Sequence, residues 1–317
     1  MFLASIGGIM EYYDFAVYGT FAIYFGNQFF PAANKLTNIL EVFLVWFLGF
    51  ALRPVGGILF SHIGDEYGRK MVLTITVLMM GLSSLGVALL PNFATIGYYA
   101  PILLLILRLM QGLAMGGEIP TTCVYLRESF QKKLVLVFSI FVASLFIGYL
   151  LSSITNFILV QILTYEQLVK FGWRIPFFLG SVICIIAYYI RKTLHETNDF
   201  KNILNRAKIP LLLLFRNYKK TLLVALFVAA SQQVFSVVIV AFLQTLLKLF
   251  TNLSNHQISN IYLIAILCTA LFMLIMGYIL KSNKNYMRLY QNCLLFNIIT
   301  VPFSFYLMFR TEYLYLG

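Results

Sequence analysis

Six ionisable residues fall inside long apolar runs of this sequence: Glu11, Asp14, Arg53, Arg108, Glu118 and Arg174. A charged group at the centre of a bilayer costs roughly 2.5–3.5 kcal/mol on insertion scales, so each needs a partner or a task. Glu11 and Asp14 are three residues apart, which sets both carboxylates on one helical face. Burial opposes the charged form of a carboxyl group and a facing arginine favours it. A group held between those two effects loads and releases a proton as its surroundings change. Asp14 is the first candidate for that chemistry, with Glu11 and Glu118 beside it. The same acids also suit purely structural ion pairs within a bundle.

Arg108, Gln111 and Gly112 share a face by i, i+3, i+4 spacing. Gly112 and Gly116 form a small-xxx-small pair for close helix packing. Glu118 reads equally as a second proton site or as the partner of Arg53. Trp173 and Arg174 open an apolar run and read as an interfacial anchor. Tyr12, Tyr13, Tyr18 and Tyr24 offer ring faces to a quaternary ammonium group, although most of the 20 tyrosines belong to packing. His62, His195 and His256 lie at loops or run ends, and the four cysteines have neither pairing nor metal-ligand spacing. With no nucleophile elbow, zinc-protease helix or phosphate loop, the reading is not an enzyme, with no metal and no cofactor.

The elements that position these residues follow from composition. Of 317 residues, 61% are hydrophobic and 11% charged, with mean hydropathy +0.88, too little polar surface for a water-soluble chain. The expected class is an all-α polytopic membrane protein. Apolar runs of about 20 residues fall near 2–30, 39–61, 71–90, 99–126, 134–160, 174–190, 221–247, 258–280 and 289–309. Alternate loops (62–70, 126–134, 191–220, 281–288) hold 16 Lys or Arg, against four in the opposite set. That asymmetry predicts a cytoplasmic N-terminus and, with nine spans, a C-terminus outside. It also accounts for the net charge of +12 without nucleic acid. Met1 runs into Phe2-Leu3-Ala4-Ser5 with no basic n-region, so the first span is expected to act as its own insertion signal.

From within the second run to the start of the third extends Arg53 to Lys70, RPVGGILFSHIGDEYGRK. Its Asp-x-x-Gly-Arg-Lys resembles the loop between the second and third helices of the major facilitator superfamily. With Arg-Pro-x-Gly-Gly before it, the stretch looks like the metabolite:proton symporter branch, which includes proline/betaine and dicarboxylate carriers. The Glu11-Tyr-Tyr-Asp14 stretch, Arg108 to Glu118, Trp173-Arg174-Ile-Pro176 and RKTLHETNDF are similar to the same branch.

The resemblance implies a complete six-helix bundle (1–190), a cytoplasmic linker (191–220) and a partial three-helix second bundle (221–317), truncated at the C-terminus. It implies that Asp14, Glu11 and Glu118 handle the proton. Arg108, Gln111 and Tyr13 meet the substrate or balance charge, and Asp65, Gly68, Arg69 and Lys70 form a gating motif. Ser61 replaces the expected glycine of that motif, and after Gly277 its second copy is eroded. The implied activity is proton-coupled symport of a small polar metabolite, an osmolyte such as proline or betaine or a carboxylate, across a bacterial inner membrane. Another chain would complete the second bundle; the alternative is a non-transporting remnant of such a symporter. Within the linker, Pro210 to Phe215 is expected on the bilayer surface or as entry into the seventh span.

Overall fold

The computed structural model describes residues 2–30, 35–202, 217–237, 255–282 and 285–311, and these form helices and turns without a strand. The long helices are α1 (Phe2–Phe29), α2 (Lys35–Ala51), α3 (Arg53–Tyr67), α4 (Arg69–Leu89), α5 (Tyr99–Ser129), α6 (Leu134–Ile162), α7 (Arg174–Lys192), α8 (Lys219–Val237), α9 (Asn255–Ile279) and α10 (Tyr286–Thr311). Among the described residues, Leu40–Tyr67 and helices α4, α5, α6 and α7 are long and apolar enough to cross a membrane. Apolar side chains such as Phe47, Leu82, Ile106 and Ile186 point outward from them, as lipid-facing residues do. The protein is an integral membrane protein.

The chain divides into two compact units, Met1–Leu212 with Ile266–Tyr278, and Leu213–Ala265 with Ile279–Gly317. In the first, α1 packs on α6, α4 lies between α5 and α7, and α3 lies along α5. The second contains α8 and α10, the latter with Pro302 inside it. Pro210 to Phe215 and the end of the expected seventh run, 238–247, lie outside the described residues.

The second span, expected near 39–61, is found as one span and is longer. The run extends to Tyr67, and its helix breaks at Leu52 (φ −83°, ψ −9°) ahead of Pro54. Proline lacks the N–H for an i−4 bond and its ring crowds the carbonyl there. Leu52 still donates to Leu48, and Gly56 to Leu52, so the backbone ladder continues across the interruption.

Helix α5 seats against α2 and α3 through glycines. A Cβ on Gly112 would strike the Gly49 carbonyl, one on Gly116 the Arg53 carbonyl, and one on Gly56 the Leu113 carbonyl. Backbone thus touches backbone, the approach that small residues permit. It brings Arg53 and Arg108, on facing helices, to one cleft.

Trp173 is a correction. Its side chain is fully buried, with ring centroids 5.3 Å from Phe25 and 5.6 Å from Phe29. Together with Tyr18, Phe21 and Phe177 it belongs to an aromatic core. An interfacial belt residue would keep its indole at the headgroups. Arg174 instead reaches across to the Leu90 carbonyl at 2.9 Å, its guanidinium 4.3 Å from the Trp173 ring.

Candidate functional site

The centre of the first unit is an ion pair between α1 and α5. Arg108 Nη1 lies 2.8 Å from Asp14 Oδ2, with both residues about 5% exposed or less. Ser84 of α4 donates to the other Asp14 oxygen, and Gln111 Nε2 donates to Ser84 Oγ at 3.0 Å. The guanidinium also stacks 4.0 Å from the Tyr18 ring, a cation–π contact. Asp14 therefore has an acceptor role on each oxygen. Arg108 Nε and Nη2, and Gln111 Oε1, have no hydrogen-bond partner among the described residues. Asp14, Arg108 and Gln111 line a cleft whose other walls include Phe15, Trp46 and Arg53.

One helical turn away, Glu11 is fully buried and 3.4 Å from Arg53 Nη1. Neither of its carboxylate oxygens accepts a hydrogen bond from a described residue. Arg53 lies 4.2 Å over the Phe50 ring and donates to Met115 Sδ.

Glu118 has a different partner from the Arg53 that the sequence offered. Arg191 Nη1 donates to Glu118 Oε2 at 2.8 Å and Nη2 to Oε1, with both side chains fully buried. Arg191 also donates to the Leu73 carbonyl at 2.6 Å, and Thr76 Oγ1 is within hydrogen-bond distance of the carboxylate. A Cβ on Gly7 of α1 would strike both members of the pair. Arg191, counted by sequence among the linker charges, is in the last turn of α7.

The four tyrosines do not converge. Tyr13 donates to the Pro176 carbonyl and Tyr18 to the Val42 carbonyl, each at 3.0 Å. Tyr12 packs edge-on to Tyr149, and Tyr24 pairs with Tyr165. The aromatic cage of Tyr12, Tyr13, Tyr18 and Tyr24 that the sequence offered beside packing is not assembled at the cleft: none of the four lines it, and the Tyr18 ring face is taken by the Arg108 guanidinium. The aromatic residues that do line the cleft are Phe15, Trp46 and Phe50.

At the end of the bundle that carries the charged motif, Gly68 alone separates α3 from α4, with φ 107° and ψ 154°, a conformation essentially reserved for glycine. Arg69 Nη1 lies 2.8 Å from Asp65 and donates to the Gly64 carbonyl, while Nη2 reaches Glu128 of α5 at 3.2 Å. Glu196, beyond α7, accepts from the backbone N–H groups of both Arg69 and Lys70 at 3.1 Å. Thr197 donates to Glu128 at 2.6 Å. Asp65, Gly68 and Arg69 are thus brought together with Glu128 and Glu196, which sequence reasoning passed over. Lys70 also lines a groove with Tyr67, Lys192 and Glu196.

A sequence profile of the Major Facilitator Superfamily matches residues 4–317. The chain is 38% identical over 251 residues to a putative proline/betaine transporter of Staphylococcus aureus (strain COL), covering 77% of this chain and 54% of that protein. It is 37% identical over 233 residues to the alpha-ketoglutarate permease of Escherichia coli (strain K12), covering 73% and 54%. The chain thus spans about half the length of these relatives. In fold it matches the proton:xylose symporter XylE bound to 6-bromo-6-deoxy-D-glucose, with TM-score 0.73 at 15% identity over 89% of this chain and 68% of that one. The profile covers nearly every residue and the helical arrangement agrees with it: the chain belongs to the Major Facilitator Superfamily.

Proposed function

We propose that the protein carries a small carboxylate-bearing metabolite across a bacterial inner membrane by proton-coupled symport, alternating access between two sides of the bundle. The observation that carries this reading is the buried Asp14–Arg108 pair at the cleft, with Arg108 Nε and Nη2 lacking hydrogen-bond partners among the described residues. A proton on Asp14 dissolves the ion pair and leaves the guanidinium to a substrate carboxylate, a geometry its fork favours. Departure of the substrate returns Arg108 to Asp14 and expels the proton. Glu11 is the second proton site, since exchange there breaks only the 3.4 Å pair with Arg53. Glu118, held by Arg191, Thr76 and full burial, serves as a structural acid in this scheme.

In this reading the N-terminus is cytoplasmic, the bundle of residues 1–190 holds the site, and residues beyond 220 contribute to a second bundle that another chain completes. Asp65 and Arg69 steady the cytoplasmic gate. The named relatives support a substrate such as proline, betaine or 2-oxoglutarate, each of which bears a carboxylate.

The test is uptake of these three labelled compounds by cells expressing this chain, with and without a protonophore. Protonophore-sensitive accumulation of one of them, abolished by Asp14→Asn with the protein still in the membrane, is the expected result. Accumulation that survives Asp14→Asn overturns the role given to that residue. Absence of all uptake favours the non-transporting remnant.

A further inference from the structure

A second, separate feature lies at the end of the antiparallel pair α4 and α7. Lys70 is the second residue of α4 and Lys192 the last of α7, so both lysines stand at the same end of the bundle. They line one open groove with Tyr67, Met71, Ile75 and Glu196. The neighbouring arginines are already engaged, Arg191 with Glu118 and Arg69 with Asp65 and Glu128. Neither lysine ammonium meets a carboxylate among the described residues. The Lys192 ammonium instead lies 4.6 Å from the Tyr188 ring. The Glu196 carboxylate on the groove wall is committed to the amides of Arg69 and Lys70, so the groove keeps an excess of positive charge.

Below the lysines the surface turns apolar. Met71, Leu78 and Leu82 of α4 are exposed, as are Ile185 and Tyr189 of α7. A cationic rim at a helix end, set above an apolar face of membrane-spanning helices, has the shape and charge sequence of one ligand class. We infer that this groove binds an anionic phospholipid, its phosphate between Lys70 and Lys192 and its acyl chains along α4 and α7. Interfacial lysines attract anionic headgroups by roughly fivefold each near the surface, and the apolar wall makes a soluble acidic peptide a poorer fit than a lipid. The groove shares no lining residue with the cleft at Asp14.

The test is native mass spectrometry of the full chain released from detergent micelles containing dioleoyl phosphatidylglycerol or dioleoyl phosphatidylcholine. Wild type is expected to retain phosphatidylglycerol over phosphatidylcholine. Lys70→Gln and Lys192→Gln should each weaken retention about fivefold and the double variant about thirtyfold. Lys70→Arg with Lys192→Arg, which keeps the charge, should retain the lipid, and Lys132→Gln with Lys133→Gln, on the exposed loop before α6, should leave retention unchanged. Equal retention by wild type and the double glutamine variant overturns the site, as does equal retention of the two lipids. Displacement by millimolar glycerol phosphate would mark a soluble-anion site and overturn the lipid assignment.

Discussion

Arg191 Nη1 lies 2.8 Å from Glu118 Oε2, and neither side chain has any exposed surface. The pair joins the last turn of α7 to the middle of α5, and through the Leu73 carbonyl to α4. Removing one member of such a pair leaves an uncompensated buried charge, at a cost of about 3–5 kcal/mol, whereas replacing both by apolar groups of similar volume is far milder. Arg191→Met and Glu118→Leu should each lower the thermal midpoint of the purified chain steeply, with the double variant well above either. Additive losses would show that the two residues act separately.

The acids Glu11 and Asp14 and the base Arg108 were legible in the sequence because a charge inside an apolar run stands out, and because three-residue spacing places two of them on one face. Arg191 was not, since it adjoins Lys192 where hydropathy falls and reads as the first loop charge. Nothing local distinguishes it from its neighbour; only the position of Glu118, 73 residues away, does. Glu196 was hidden for the same reason, because it caps a helix start 126 residues earlier in the chain. Trp173 was misread since the start of an apolar run is also where belt residues occur, and the aromatic core that encloses it is supplied by α1.

That enclosure sets the expected cost of Trp173→Ala. A surface anchor contributes little to folding, but deleting a fully buried indole opens a cavity and costs about 3–5 kcal/mol. Trp173→Phe keeps much of the packing against Phe25 and Phe29 and should lose less. Thermal unfolding in detergent ranks the three proteins; a midpoint for Trp173→Ala equal to wild type would return the residue to the interface.

The glycine contacts of α5 give an opposite prediction for two kinds of helix glycine. Gly112→Ala and Gly116→Ala drive a methyl into the carbonyls of Gly49 and Arg53 and should destabilise by about 1–3 kcal/mol, the usual range for overpacking. Gly19→Ala meets nothing nearer than Trp46 at 4.0 Å, and there the gain in helix preference, about 0.5–1 kcal/mol, should prevail. Stabilisation by all three would show that α5 has room to move away from α2 and α3.

The contact between Glu196 and the start of α4 makes the last prediction. The carboxylate fills the place beside Gly68 and accepts from the N–H groups of Arg69 and Lys70, two of the donors that a helix start leaves without partners. A negative group there is also favoured by the helix dipole. Glu196→Ala should therefore speed amide hydrogen exchange at the first turn of α4, while Glu196→Gln, which keeps one acceptor oxygen, should speed it less. Gly68→Ala acts on the same contact from the other side. Its φ of 107° carries a strain of about 1–3 kcal/mol for any residue with a side chain, and its new Cβ would strike Glu196 Oε2. Part of that clash vanishes once residue 196 is shortened, so Gly68→Ala with Glu196→Ala should cost less than the two single changes together. A strictly additive pair, with exchange at Arg69 and Lys70 unaltered by Glu196→Ala, would mean that the carboxylate does not hold this helix start in the membrane-bound protein.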